Sequence, residues 1–190
     1  MQRFDLAAVP ATPWKNGGGA TRELACWPPG AGLDDFGWRV SVATLTASGA
    51  FSLFAGVDRH IMLLRGSGVR LYSNAGDMEH WLNRPWEPFA FAGEVPLQCQ
   101  LSTGAAEDFN LMLRRGAWHG ALRVERRACM PGSTDAGLCM VLAGCWQQGS
   151  DTFATGQGLW WSTRTPGAPL HPVQGTDAAL AWVGVAPKFK

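Results

Sequence analysis

The sequence is a succession of short alternating runs closed by turn residues, with no stretch of sustained helical periodicity. This excludes most folds. Phe36 to Thr46 (FGWRVSVATLT) shows it best: Trp38, Val40 and Val42 fall on one face, and Arg39, Ser41, Ala43 and Leu45 on the other. Similar runs occupy Gln2 to Leu6, Thr21 to Trp27, Gly49 to Phe54, Asp58 to Arg65, Val69 to Ser73, Pro96 to Leu101 and Asp108 to Arg115. The second half repeats the texture at Ala121 to Ala128, Gly137 to Ala143, Leu159 to Thr163 and Leu180 to Val185. Pro85 and Pro88 mark Pro85 to Phe91 as an edge strand or loop. Strands at a spacing of roughly 8–12 residues predict an all-β sandwich or barrel, and a jelly-roll barrel holds ligands in its open mouth. Gly66-Ser67-Gly68, between two apolar runs, reads as a hairpin turn. Val141 to Trp146 echoes the rhythm of Met62 to Gly68, as two copies of one barrel unit would.

One loop stands out. Pro13 to Glu23 (PWKNGGGATRE) carries Lys15, Asn16, Thr21 and Arg22 around three consecutive glycines. Glycine lets another group approach the backbone closely, and successive N–H groups in such a turn can form an anion-binding nest. The alternative is a flexible turn before a strand. The spacing matches neither dinucleotide nor P-loop fingerprints.

Composition narrows the class. A net charge of +1 over 190 residues gives no basic field for nucleic acid. No apolar run is long enough to span a membrane, and none at the start has signal-peptide character. The five cysteines are odd in number and form no CxxC, so they read as reduced, mostly buried thiols of a cytoplasmic protein.

Metal and nucleophile chemistry lack a pattern. His60, His80, His119 and His171 form no HxH and have no histidine partner at i+4, so no metal or other cofactor is expected. There is no G-x-S-x-G. What remains is a set of polar groups within apolar strands: Arg39 and Ser41, Asp58 and Arg59, and Asp108, Asn110 and Arg114. An inward-facing Arg needs a partner. That partner is either a carboxylate of the chain, Asp58 or Asp108 for Arg59, or an anionic ligand, and a planar carboxylate suits the guanidinium fork.

The motif PWKNGGGATRE, followed by Trp38-Arg39-Val40-Ser41-Val42-Ala43, Gly49-Ala50-Phe51-Ser52-Leu53-Phe54, Gly56-Val57-Asp58-Arg59 and Asp108-Phe109-Asn110-Leu111-Met112, closely resembles the HutD/Ves family. The final third of the chain matches in texture only, and Ala55 stands where a Pro is expected before Gly56. The resemblance implies a bicupin: two fused jelly-roll halves of the RmlC-like cupin type, approximately residues 1–105 and 106–190. It also implies a protein that binds a small carboxylate metabolite, such as urocanate or a formylated intermediate, and tunes histidine utilisation. No reaction comes with the family, and one branch is associated with stress responses.

Together these give a candidate ligand-binding set of Lys15, Asn16, Gly18, Thr21, Arg22, Ser41, Arg59 and Asn110, supported by Trp38, Asp58, Asp108 and Arg114. The expected partner is a small carboxylate, with a homodimer allowed and neither nucleic acid nor membrane involved. A second reading is a metal-independent isomerase or epimerase, for which His60 or Lys15 with Asp58 would supply the acid–base pair. A third is a partner-binding protein without a small ligand.

Overall fold

The computed structural model describes residues 1–174 and 177–188. The first strands are β1 (Gln2–Asp5), β2 (Thr12–Pro13), β3 (Gly19–Trp27), β4 (Trp38–Leu45), β5 (Gly49–Ala50) and β6 (Val57–Arg65). Then come β7 (Val69–Ser73), β8 (Glu79–Leu82), β9 (Phe89–Ala92), β10 (Leu97–Leu101), β11 (Ala106–Arg114) and β12 (Trp118–Glu125). The last are β13 (Ala136–Ala143), β14 (Trp146–Gln148), β15 (Asp151–Phe153), β16 (Gln157–Trp161), β17 (His171–Pro172) and β18 (Ala179–Pro187). The described residues include a single 3-10 turn, Leu6–Ala8, and no α-helix. The all-β expectation holds, and no helix among them is long and apolar enough to cross a membrane.

The strands form four antiparallel sheets. A six-stranded sheet runs β2-β3-β4-β11-β6-β9 and a five-stranded sheet runs β1-β16-β13-β18-β12. A four-stranded sheet (β5-β10-β7-β8) and a three-stranded sheet (β15-β14-β17) complete the body. Three cores explain why the long strands are apolar on both faces. The six- and five-stranded sheets pack on one another through Trp38, Val40, Val42, Phe109 and Leu111 against Leu138, Met140, Ala181 and Val183. The opposite face of the six-stranded sheet carries Leu45, Ile61 and Leu63, which meet Val69, Leu71, Leu97 and Cys99 of the four-stranded sheet. The opposite face of the five-stranded sheet is filled by Trp161 and Trp182 with Trp146 and Phe153 of the three-stranded sheet. A strand covered on both sides reads as a near-continuous apolar run, as in β13 (AGLCMVLA).

Two organisational expectations are corrected. The expected boundary at 105/106 does not match the sheets, because β11, which begins at Ala106, lies inside the six-stranded sheet between β4 and β6. Strand pairing changes sheet after Arg114, and β1 crosses to pair with β16. Nor is Gly66-Ser67-Gly68 a hairpin: β7 pairs with β8 and β10, not with β6. The turn carries the chain from one sheet to the next. Gly66 and Gly68 take φ of 103° and 108°, and a Cβ on Gly66 would sit 2.6 Å from the Ala105 carbonyl oxygen. The echo at Val141 to Trp146 marks the equivalent crossing from β13 to β14. The Pro85 to Phe91 run ends in β9, an edge strand as its prolines suggest.

All five cysteines are free. Burial pushes the thiols of Cys26 and Cys99 up to about 11 and that of Cys129 to about 12, so they stay protonated at neutral pH.

Candidate functional site

Between the six-stranded sheet and the loops at its open end lies a cavity of about 830 Å³. Its floor is the sheet face that carries Leu45, Ile61 and Leu63 deeper in. Antiparallel register lines up its residues in rows. Cys26, Arg39, Met112, Arg59 and Phe91 form one row across β3, β4, β11, β6 and β9. Glu23, Ser41, Asn110, Ile61 and Phe89 form the next, and Thr21, Ala43, Asp108 and Leu63 the third. A bulge between Glu23 and Ala25 keeps Glu23 and Cys26 on the same face. Strands several tens of residues apart in sequence thus set two arginines, two carboxylates, an amide and two hydroxyls on one surface.

Arg59 is the centre of this surface. It is 3 % exposed. Its guanidinium lies over the rings of Phe51, Phe54 and Phe91, with centroid distances of 4.5, 5.4 and 5.2 Å. One terminal nitrogen donates to the Ser52 carbonyl at 3.3 Å, and Nε has no partner. Among the described residues no carboxylate forms an ion pair with it. Asp58, its neighbour in sequence, points to the other face and accepts from Arg115 Nε at 2.6 Å. Asp108 acts on Arg59 only through space. Burial lowers the Arg59 guanidinium to about 10, partly offset by Asp108, so the group remains a cation at neutral pH. Burial raises the Asp108 carboxyl to about 7 against the pull of Arg59. Arg39, by contrast, is matched: its Nε donates to Glu23 at 2.6 Å and a terminal nitrogen reaches Ser41 Oγ at 3.4 Å.

The glycine-rich loop closes one side. Lys15 and Asn16 line the cavity, and Trp14 Nε1 donates to Thr21 Oγ1 at 2.8 Å. The loop is not an anion nest. The Gly17 N–H donates to the Trp14 carbonyl and the Gly18 N–H to Asn16 Oδ1, so both are used within the loop. Its glycines serve geometry: Gly17 has φ of 71°, and a Cβ on Gly19 would collide with the Thr44 carbonyl oxygen.

Of the sequence-derived set, Lys15, Asn16, Thr21, Ser41, Arg59, Asp108 and Asn110 all line the cavity. Five residues do not. Gly18 supports the loop and its carbonyl accepts from Thr46 and Ala47. Arg22 alternates away between Thr21 and Glu23. Trp38 is buried in the core between the two large sheets, edge-on to Trp160. Asp58 belongs to a second, smaller cavity of about 310 Å³ with His60 and His119. Arg114 donates to the carbonyls of Asp34, Phe36 and Ala55, pinning two loops. The acid–base pairing of Lys15 with Asp58 is therefore not assembled, since the two line different cavities, whereas His60 and Asp58 both line the smaller one. Cavity residues that the motifs did not single out as ligand-binding include Arg39, Glu23, Trp14, Phe51 and Phe54. Alternation with Ser41 was the available signal for Arg39. Among the described residues, no three His, Cys, Asp or Glu side chains gather as a metal ligand set.

The HutD family model matches residues 6–181. Protein Ves of Cronobacter sakazakii is 40% identical over 162 residues, which span 85% of this chain and 87% of that protein. The solved structure of HutD from Pseudomonas fluorescens SBW25 superposes with a TM-score of 0.83 at 27% identity, covering 99% of both chains. Protein Ylba from E. coli shares the fold alone, with a TM-score of 0.66 at 7% identity over 99% of this chain and 91% of that one. The fold is cupin-like, and on the extent of these matches the chain belongs to the HutD family.

Proposed function

We propose that this protein binds a small carboxylate metabolite in the cavity around Arg59, does not transform it, and through its occupancy tunes histidine utilisation. The four sheets are read here as a bicupin, with the ligand in the N-terminal barrel unit and the C-terminal one closed by tryptophans. The five free cysteines, three of them buried, support a cytoplasmic setting.

The observation that carries the reading is the state of Arg59. A buried cation without a carboxylate partner is costly unless something else supplies the negative charge. A carboxylate ligand supplies it and matches the guanidinium fork. Urocanate and formylated acids are the candidates that family membership suggests.

A second reading, a metal-independent isomerase or epimerase, has one observation in its favour. Asp108 titrates at about 7 inside the same cavity, which suits a general acid or base. Incubation of the protein with urocanate and with a formylated acid separates the two. Binding alone gives a saturable rise in melting temperature, about 2.7 kcal/mol of stabilisation at a hundredfold excess over Kd, with the added compound recovered unchanged. Accumulation of a product that Asp108→Asn abolishes establishes the enzyme instead. The absence of any thermal shift across such carboxylates overturns both.

A further inference from the structure

Asp108 is a buried carboxyl that the fold leaves unmatched. It is 2 % exposed, and its Oδ1 has no hydrogen-bond partner among the described residues. It lines the same cavity as Arg59, which is 3 % exposed, yet no ion pair joins the two among the described residues, and each feels the other through space.

The other titratable groups around Asp108 are matched, uncharged or set apart. Across β4 and β3, Arg39 is paired with Glu23 at 2.6 Å. Lys15 stands exposed on the glycine-rich loop. The four-stranded sheet brings Cys99 and His80. Burial and the Asp108 charge push the Cys99 thiol up to about 11. His80 stacks on Phe89 at 3.7 Å, and burial keeps its imidazole below its ordinary value. Both are therefore neutral at pH 8. Asp58 and His60 lie on the opposite face of β6, and Glu107 on the opposite face of β11.

The unliganded cavity thus sets one buried cation near one buried carboxyl. A carboxylate seated on Arg59 adds a second negative charge to that single cation. Two carboxyl groups sharing such a site do not both stay ionised, and one is driven to hold a proton. The ligand's acid takes the guanidinium fork, so the group that yields is Asp108. Burial already raises it to about 7, and the pull that opposes this comes from Arg59, which the ligand now engages. A protonated carboxyl also gains an O–H donor. Asn110 Oδ1, a buried acceptor without a partner among the described residues, stands two residues along the same face of β11.

We infer that ligand capture and proton capture are one event: as the carboxylate binds Arg59, Asp108 takes a proton from solvent. This rests on the carboxylate-binding reading above and adds the regulation of that site by pH. Raising the pH opposes an event that consumes a proton, so occupancy of the cavity falls as the solution becomes alkaline.

The test is calorimetric titration with two carboxylates that have no other titrating group, N-formylglycine and trans-cinnamate. At pH 8 each is titrated in HEPES, Tricine and Tris, whose ionisation enthalpies differ. The slope of observed heat against ionisation enthalpy counts the protons taken up. It is expected to be close to one per ligand at pH 8, and close to none in a matching series at pH 5.5, where Asp108 already holds its proton. Affinity should fall about tenfold for each pH unit above 7. Asp108→Asn, which cannot ionise, should show no uptake and should bind more tightly than wild type at pH 8. If the ligands bind but the heat is the same in all three buffers, this inference fails and the carboxylate reading stands. If uptake persists in Asp108→Asn, the proton goes elsewhere and the assignment to Asp108 is wrong. If that variant does not fold, the wild-type profile decides: uptake must set in near pH 7, above the range of His80 and well below that of Cys99. If neither compound binds at any pH, the carboxylate reading itself is wrong.

Discussion

Replacing Arg59 by Met should abolish carboxylate binding and leave the protein at least as stable as before. The binding loss follows from leaving a buried carboxylate without its cation, an effect of about 3–5 kcal/mol, or more than a hundredfold in affinity. The retained stability follows from what Arg59 does in the unliganded fold. It makes one 3.3 Å hydrogen bond to a carbonyl, leaves Nε unpaired and forms no ion pair among the described residues. Removing such a group relieves a desolvation cost that outweighs the loss of that long hydrogen bond and of the cation–π contacts. Methionine has similar reach, and its thioether packs well on the Phe51, Phe54 and Phe91 rings. Asp108 loses a favourable neighbour, but it already titrates at about 7 and can take up a proton. Thermal melting and titration on the same sample check both halves. A sharply lower melting temperature would mean that Arg59 is a structural residue. Unchanged binding would remove it from the site.

The second large effect concerns pH. The Asp108 carboxyl titrates at about 7 in the folded protein and near 3.8 when exposed. Between those values the folded state holds a proton that the unfolded state has released. The contribution of this group to stability is therefore fully present below about pH 4 and lost as pH rises through 7. The slope is about 1.4 kcal/mol per pH unit, with a total on the order of 4 kcal/mol. Asp108→Asn cannot ionise and should lose this dependence. Other carboxylates work the opposite way: Arg115 holds Glu94 down at about 2. The informative quantity is thus the difference between wild type and Asp108→Asn, measured by urea unfolding from pH 5 to 8. The variant should gain on the wild type from pH 5 to about 7 and level off above it. Parallel curves would show that Asp108 carries no raised pKa.

Much of this was legible in the sequence, for a reason visible in β4. Strict alternation fixes which side chains share a face, so Ser41 and Arg39 were separated from Trp38 and Val40 without any structure. What alternation does not say is which face lines a cavity, since both are buried in a strand sandwiched between two sheets. Trp38, Arg22 and Arg114 sit in or beside the same motif stretches as cavity residues, yet face a core, the opposite side of a strand, and loop carbonyls. That Arg59 has no carboxylate partner among the described residues was equally hidden. Asp58 is adjacent in sequence, but adjacency in a strand means opposite faces, and its partner Arg115 arrives from another strand end. The glycine loop misled through its chemistry: its N–H groups are consumed by Trp14 and Asn16. The short strands β8, β14, β15 and β17 carry too few residues for alternation to register. The turn at Gly66 to Gly68 has a hairpin's composition, and only the register of β7 with β10 shows that it joins two sheets.

The most direct measurement is a crystal structure of the protein grown with urocanate. The carboxylate is expected within hydrogen-bonding distance of the Arg59 guanidinium, inside the cavity bounded by Lys15, Ser41 and Asn110. Urocanate bound with Arg59 untouched, whether in the smaller cavity beside His60 and His119 or on the surface, would contradict carboxylate capture by Arg59.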